Sequence, residues 1–171
     1  MSLLPHTDAI SFDTPIAMLR ACHDKVRRFA TLAVSLATHL QTHAPDKNAG
    51  ASAQQVLRYF DLAAPLHHAD EDEDLYPALR ALNDLALNQA IDEIQAEHTV
   101  LTDLYLSIRP WLLCISQQQI SPAPTTVAAF SALYHTHAAR EESAIYPAAQ
   151  GLPLPQLHDI GRRMQQRRGA L

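Results

Sequence analysis

Glycine is scarce in this chain, with four in 171 residues, and no stretch alternates apolar and polar residues long enough to read as a sheet. What remains is rich in alanine, leucine, glutamine and glutamate, all helix formers. Two cysteines, Cys22 and Cys114, with no CxxC pair, exclude a disulfide framework. Both lie in apolar helical contexts and read as small buried thiols. No segment reaches 18 uninterrupted apolar residues, so no membrane span is expected. The N-terminus has no basic stretch leading into an apolar run, so a secretory leader is not expected either, and the expected location is cytoplasmic. With 13 Lys and Arg against 18 Asp and Glu, for a net charge of −5, and no basic stripe along any helix, nothing draws the chain toward nucleic acid. The one basic cluster, Arg162 and Arg163 with Arg167 and Arg168, reads as a solvated helix end. The length suits one domain spanning 1–171 with a proper core.

Against this plain background one phrase is written twice, 70 residues apart. His67-His-Ala-Asp-Glu71 continues to Tyr76-Pro77-Ala78, and His137-Ala-Ala-Arg-Glu141 continues to Tyr146-Pro147-Ala148. Six of fourteen positions match between 66–79 and 136–149. On a helix, residues i and i+4 point about 40° apart, so each His–Glu pair shares a face. Imidazole and carboxylate both ligate first-row metals, and two such pairs suit a two-metal site.

Capping and breaking residues divide the chain into four long helices and a short fifth. Asp13-Thr14-Pro15 opens the first, which is predicted to run to about His43. Ser52-Ala-Gln-Gln55 reads as a capping box opening the second, which reaches about Leu82, with Pro65 and Pro77 each kinking or splitting it. Asn83-Asp84 starts the third, running to about Ser116 with a kink at Pro110. After Ser121-Pro122-Ala-Pro124 the fourth runs to about Gln150. Gly151, Pro153 and Pro155 then precede a tail helix over about 156–168. The fold class is therefore all-α, an up-down-up-down antiparallel four-helix bundle with its core over about 14–150.

Each long helix carries an apolar stripe at 3,4 spacing. The first stripe includes Leu19, His23 and Val26; the second Phe60, Ala64, His67, Glu71 and Asp74. The third includes Ile94, His98, Leu101 and Tyr105; the fourth Tyr134, His137, Glu141 and Ala144. Four histidines and two glutamates thus point inward. His39, His43 and His135 point away from their stripes, His68 lies one residue round from His67, and His6 and His158 fall in the terminal segments. In an up-down-up-down bundle the six inward groups fall at one level, very roughly 12–22 Å from one end at 1.5 Å per residue.

Burying two carboxylates and four imidazoles without partners would cost many kcal/mol. A metal pair removes that cost and keeps the carboxylates ionised. Two bridging glutamates and two histidines would give each ion four protein donors, and a bridging oxygen a fifth. Ions that take five or six N and O donors suggest iron or manganese; zinc, which prefers four, fits less naturally. The expected metal ligands are His23, His67, Glu71, His98, His137 and Glu141. Asp74 reads as a carboxylate near the site or in solvent, and the Asp70–Asp74 run, Glu71 excepted, as mostly solvated. Glu97 reads equally as a partner of the site or an exposed acid, Tyr105 and Tyr134 as core residues with a hydrogen bond.

His23-Asp24, Pro65-Leu-His67 through Glu71 with Leu75-Tyr76-Pro77, Glu97-His98, and His137 through Glu141 with Ile145-Tyr146-Pro147 resemble the hemerythrin-like, HHE cation-binding family over nearly the whole chain. The resemblance implies two non-haem iron ions with carboxylate bridges. Two features differ from the oxygen-carrying hemerythrins: Thr102 stands where they place a second histidine on the third helix, and Glu141 where they have an aspartate. With Thr102 there, each iron is expected to keep an exchangeable position. The four-His, two-Glu set is more like bacterial di-iron proteins linked to nitric oxide stress and iron-centre repair, though the Cys-bearing N-terminal segment usual in those is missing here. The expected partner is a small diatomic molecule, oxygen or nitric oxide, or peroxide. The readings left open are a binding, sensing or iron-holding protein, an oxidoreductase that consumes oxygen or peroxide, and an interaction module stabilised by metal.

Overall fold

The computed structural model describes residues 11–169, and these are helical with no strand. The predicted helices are present, with shifted boundaries. Helix α1 runs Pro15–His39, with proline in its first turn. It stops before His43, because the chain turns through residues 40–43. The second rod begins at Lys47, earlier than the Ser52 box suggests, because Asp46 accepts the Ala49 N–H at 2.8 Å and caps it. It then reads α2 (Lys47–Arg58), a π-turn (Tyr59–Ala63), α3 (Ala64–Ala69), a second π-turn (Asp70–Leu75) and α4 (Tyr76–Arg80). Asp84 caps α5 (Leu85–Ser116) through the Leu87 N–H at 3.0 Å, and α5 carries Pro110 inside it and continues unbroken. The fourth rod is α6 (Val127–Arg140), a π-turn (Glu141–Ile145) and a 3₁₀ turn (Tyr146–Gly151). Helix α7 (Leu154–Gly169) follows. His6 lies outside the described residues.

Helix α1 packs against the second rod and α6, and α5 packs against the same two, the square of a four-helix bundle. Two apolar clusters fill it. One gathers Val26, Ala33, Phe60, Leu101, Ile108, Trp111 and Phe130; the other gathers Leu19, Leu75, Leu79, Ile91, Ile94 and Ile145. Between them lies one polar layer. Helix α7 closes the second cluster with Ile160 and Met164. Gly161 lets it lie against the turn that precedes α1: a Cβ there would meet the Phe12 carbonyl oxygen at 1.8 Å. No helix among the described residues is long and apolar enough to cross a membrane.

Candidate metal centre

The polar layer contains His23, His67, Glu71, His98, His137 and Glu141, all buried. The 3,4 stripes deliver them there, one histidine from α1, one from α5, and a His–Glu pair from each of the other rods. Their arrangement is nearly two-fold. His23 Nε2 lies 3.0 Å from Glu141 Oε2 and 4.0 Å from Glu71 Oε1, and His67 Nε2 lies 3.6 Å from that same Glu71 oxygen. On the other side His98 Nε2 lies 3.6 Å from Glu71 Oε2 and 3.8 Å from Glu141 Oε1, and His137 Nε2 lies 3.3 Å from Glu141 Oε1. Each carboxylate sends one oxygen toward each histidine pair.

The outer edges of the rings are held by acids that no stripe could reveal. Glu142 pairs with His23 Nδ1 at 2.8 Å, Asp72 with His98 Nδ1 at 3.0 Å, and Glu97 with His137 Nδ1 at 3.0 Å. Asp72 and Glu142 each follow one of the inward glutamates by a single residue, so they point off the buried face. Arg27 holds Glu142 through two nitrogens, at 3.0 and 2.9 Å, and Arg140 holds Glu97. With Nδ1 engaged, each of these rings turns Nε2 inward.

Two tyrosines complete the layer. Tyr146 donates to Glu71 Oε1 at 2.5 Å, with its oxygen 3.1 Å from His23 Nε2, and Tyr76 donates to Glu141. Each tyrosine belongs to one repeat and bonds the glutamate of the other. The repeat itself was the signal for them: Tyr76 and Tyr146 are among its identical positions.

Burial, and next the charge on Glu141, raises the Glu71 carboxyl well above the usual carboxylate range. Burial would raise Glu141 too, but His137, His23 and His98 outweigh it and hold that carboxyl well below. Burial likewise opposes the charge on His98, yet Asp72 and Glu141 push it up to about 9. His67 is driven the other way, by burial first and then by His23. These groups cannot all reach their ordinary charge states in one apolar layer.

The fit to metal is visible in the orphaned atoms. Glu71 Oε2, Glu141 Oε2, His98 Nε2, His137 Nε2 and His67 Nδ1 are buried without a hydrogen-bond partner. Four of these five face the centre of the layer, where a cation would engage them. Donor atoms of His23, His67, Glu71 and Glu141 all lie within 4.8 Å of one another, and so do those of His68, His98 and His137. The second set brings His68, which its position one residue round from His67 left off the stripe, beside His98 and His137. The second rod faces α1 through His67, 4.8 Å from His23, and faces α5 through the adjacent His68, 4.0 Å from His98. Two neighbouring residues about 100° apart therefore serve two seams.

The remaining candidates fall outside the layer. Asp74 is buried but pairs with Arg163 at 3.2 Å and Arg167 at 2.9 Å. Asp70 is buried too, against Arg167 at 2.5 Å and Arg168 at 2.6 Å. The acidic run and the basic tail, both read as solvated, thus neutralise each other. Tyr105 donates to Asp61 at 2.6 Å, and Tyr134 packs against Phe60 and Phe130. His39 and His43 stack on each other at 4.3 Å on the surface, and His135 pairs with Thr31 at 3.0 Å.

Comparison with known proteins agrees with this geometry. The family model described as the hemerythrin HHE cation binding domain matches residues 14–149. A protein of Haemophilus influenzae, described only as uncharacterized, is 31% identical over 169 residues, covering 98% of each chain.

Proposed function

This chain belongs to the hemerythrin HHE cation-binding family, and on that premise we propose that it is a non-haem di-iron protein that binds or senses a small diatomic molecule or peroxide. The observation that carries the reading is the splitting of both carboxylates. Glu71 and Glu141 each direct one oxygen to the His23 and His67 side and the other to the His98 and His137 side. A single ion would leave half of those donors idle; two ions use all of them. Iron is favoured over zinc because four protein donors per position, with room for more, exceed what a tetrahedral ion takes. When bound, the ions supply exchangeable positions for a small ligand and a means of one-electron change.

The protein supplies the rest. Glu142, Asp72 and Glu97 hold three rings in the orientation that presents Nε2 to the centre. Tyr76 and Tyr146 fix the carboxylates from opposite repeats. The two apolar clusters keep bulk water from the layer. A pocket of about 280 Å³, lined by Thr102, Tyr105, Tyr134 and His68 among others, approaches it from the surface. That volume suits a small molecule.

Elemental analysis of protein reconstituted anaerobically with ferrous iron is expected to give two irons per chain. His67→Ala or Glu141→Ala loses at least one and lowers the melting temperature, whereas His39→Ala and His135→Ala do neither. One iron or fewer in the wild type would sink the reading. Reversible spectral change with nitric oxide or oxygen supports binding; steady consumption of peroxide would make the protein an enzyme instead.

A further inference from the structure

We propose that the groove between α1 and the second rod binds an amphipathic anion, a long-chain carboxylate whose tail lies along the groove and whose head meets Arg28 and Arg58. The site lies outside the polar layer and needs no metal. Its cavity is about 710 Å³, within the range of about 300–1,000 Å³ that holds small molecules. One wall runs from Met18 to Phe29 on α1, the other from Gln55 to Leu66 on the second rod. At 1.5 Å per residue each wall is about 16 Å long. His23 meets His67 and Phe29 meets Tyr59, each at 4.8 Å, so the two walls run antiparallel. The shape is that of an extended chain rather than a compact ring.

The floor of the groove is apolar surface left facing water. Leu62 is 51% exposed, and Met18, Phe29 and Leu66 are half-buried. Tyr59 donates its hydroxyl to the Cys22 carbonyl at 3.1 Å, so its polar end is occupied and it offers the groove a ring. An apolar patch rimmed by charge marks a binding groove. Here the rim is of one sign. Lys25, Arg28 and Arg58 line the groove, and no aspartate or glutamate among the described residues does.

These cations are uncommitted. In a chain with 18 acidic residues against 13 basic ones, most lysines and arginines have a carboxylate partner. Lys25, Arg28 and Arg58 have none among the described residues. The Arg28 guanidinium lies over the Phe29 ring at 5.1 Å, which keeps it at that end of the groove. Arg168 closes the opposite end, but it is matched by Asp70 at 2.6 Å and lies over Phe12 at 5.6 Å. The groove is therefore polarised, with unmatched positive charge toward Phe29 and Gln55 and a neutral, apolar end toward Met18 and Leu66. A neutral hydrocarbon would leave the cations unmatched, and a bare inorganic anion would leave the floor wet. A carboxylate on an alkyl chain satisfies both, since guanidinium groups hold carboxylates through paired hydrogen bonds.

The test is calorimetric titration of the full iron-loaded chain with decanoate, with decanol and acetate alongside. The wild type is expected to bind one decanoate. Decanol is expected to bind at least about tenfold more weakly, the worth of one charge-assisted hydrogen bond, and acetate not measurably. The double variant Arg28→Gln, Arg58→Gln is expected to lose at least about tenfold in decanoate affinity and none for decanol. Leu62→Glu, at an exposed position that the fold tolerates, places a carboxylate in the groove and is expected to weaken decanoate by a similar factor. Wild-type iron content in each variant shows that the bundle is intact. No saturable binding in the wild type overturns the proposal, as does equal affinity for decanoate and decanol or an unchanged affinity in the double variant. Binding to anionic phospholipid vesicles without binding of decanoate would give the groove to a membrane surface. A dimer in sedimentation that decanoate dissociates would give it to a second copy, and either result overturns the assignment. The iron content of the wild type decides the di-iron reading by itself, so the two failures stay distinct.

Discussion

The residues of the polar layer differ in how openly the chain displays them. His23, His67, Glu71, His98, His137 and Glu141 were legible because each interrupts an apolar stripe, and a polar group in a stripe is costly unless it has work to do. Asp72 and Glu142 were not, because each sits one residue past a buried glutamate and so reads as part of the outer face. His68 was hidden for the same reason. Only the packing of three rods shows that an apparent outer position touches a second seam. Glu97 is the clearest case of such a supporting acid, held between His137 Nδ1 and Arg140. Carboxylates that orient a ligating histidine are worth about 10- to 100-fold in metal affinity. Glu97→Ala is therefore expected to lose iron to a competing chelator at least about tenfold more readily than wild type. Equal retention would show that the ring needs no such support.

At the level of elements, the prolines do more than break helices. Ala64, Tyr76 and Tyr146 each precede a proline, and each donates its N–H five residues back, to the carbonyls of Tyr59, Glu71 and Glu141. A wide turn ahead of each proline absorbs its missing donor while the rod continues, so Pro65 and Pro77 neither split the second rod nor end it. In an α-helix a residue five positions on points about 140° away. The widened turn brings Tyr76 and Tyr146 back toward the buried side, where they meet the carboxylates. The chain announces the prolines but not this remedy, since a π-turn has no composition of its own. The first π-turn is tied to α5 by Asp61, which accepts from Tyr105 at 2.6 Å and from Arg109 at 2.8 and 3.1 Å. The Arg109 guanidinium, helped by Tyr105 against burial, holds the Asp61 carboxyl below its ordinary value. A depressed carboxyl stabilises the fold above its unfolded pKa and loses that contribution as pH falls through the lower, folded value. The melting-temperature gap between wild type and Asp61→Asn is thus expected to be full at pH 6 and to shrink as the pH falls below about 4, the unfolded value. A gap that is independent of pH would contradict the ion pair.

Over the whole molecule, the largest surprise is the docking of α7. Two charge runs some 90 residues apart, each unremarkable alone, meet across the bundle. Asp70 and Asp74 are buried, and Arg167 reaches both, with Glu73 at 2.9 Å besides. Long-range pairing of this sort leaves no periodic trace, which is why the chain showed two solvated ends. Removing one partner of a buried pair costs about 3–5 kcal/mol, whereas an exposed pair is worth about 1 kcal/mol or less. Arg167→Ala is therefore expected to destabilise the protein by about 3 kcal/mol. Arg163→Ala, whose side chain is 62% exposed, is expected to cost under about 1 kcal/mol. Urea denaturation of the two variants checks the order, and comparable losses would mean the buried acids find other partners.

The crossing of the two tyrosine–glutamate bonds bears on what the repeat is. Asn83, left-handed at φ 58°, marks the seam between the halves. A chain severed there would separate Tyr146 from Glu71, Tyr76 from Glu141, Glu142 from His23 and Asp72 from His98. Four of the five acids and phenols that steady the layer are supplied by the opposite half; Glu97, which holds His137, comes from the same one. The halves are interleaved rather than modular, and neither alone could supply the crossed bonds of this layer.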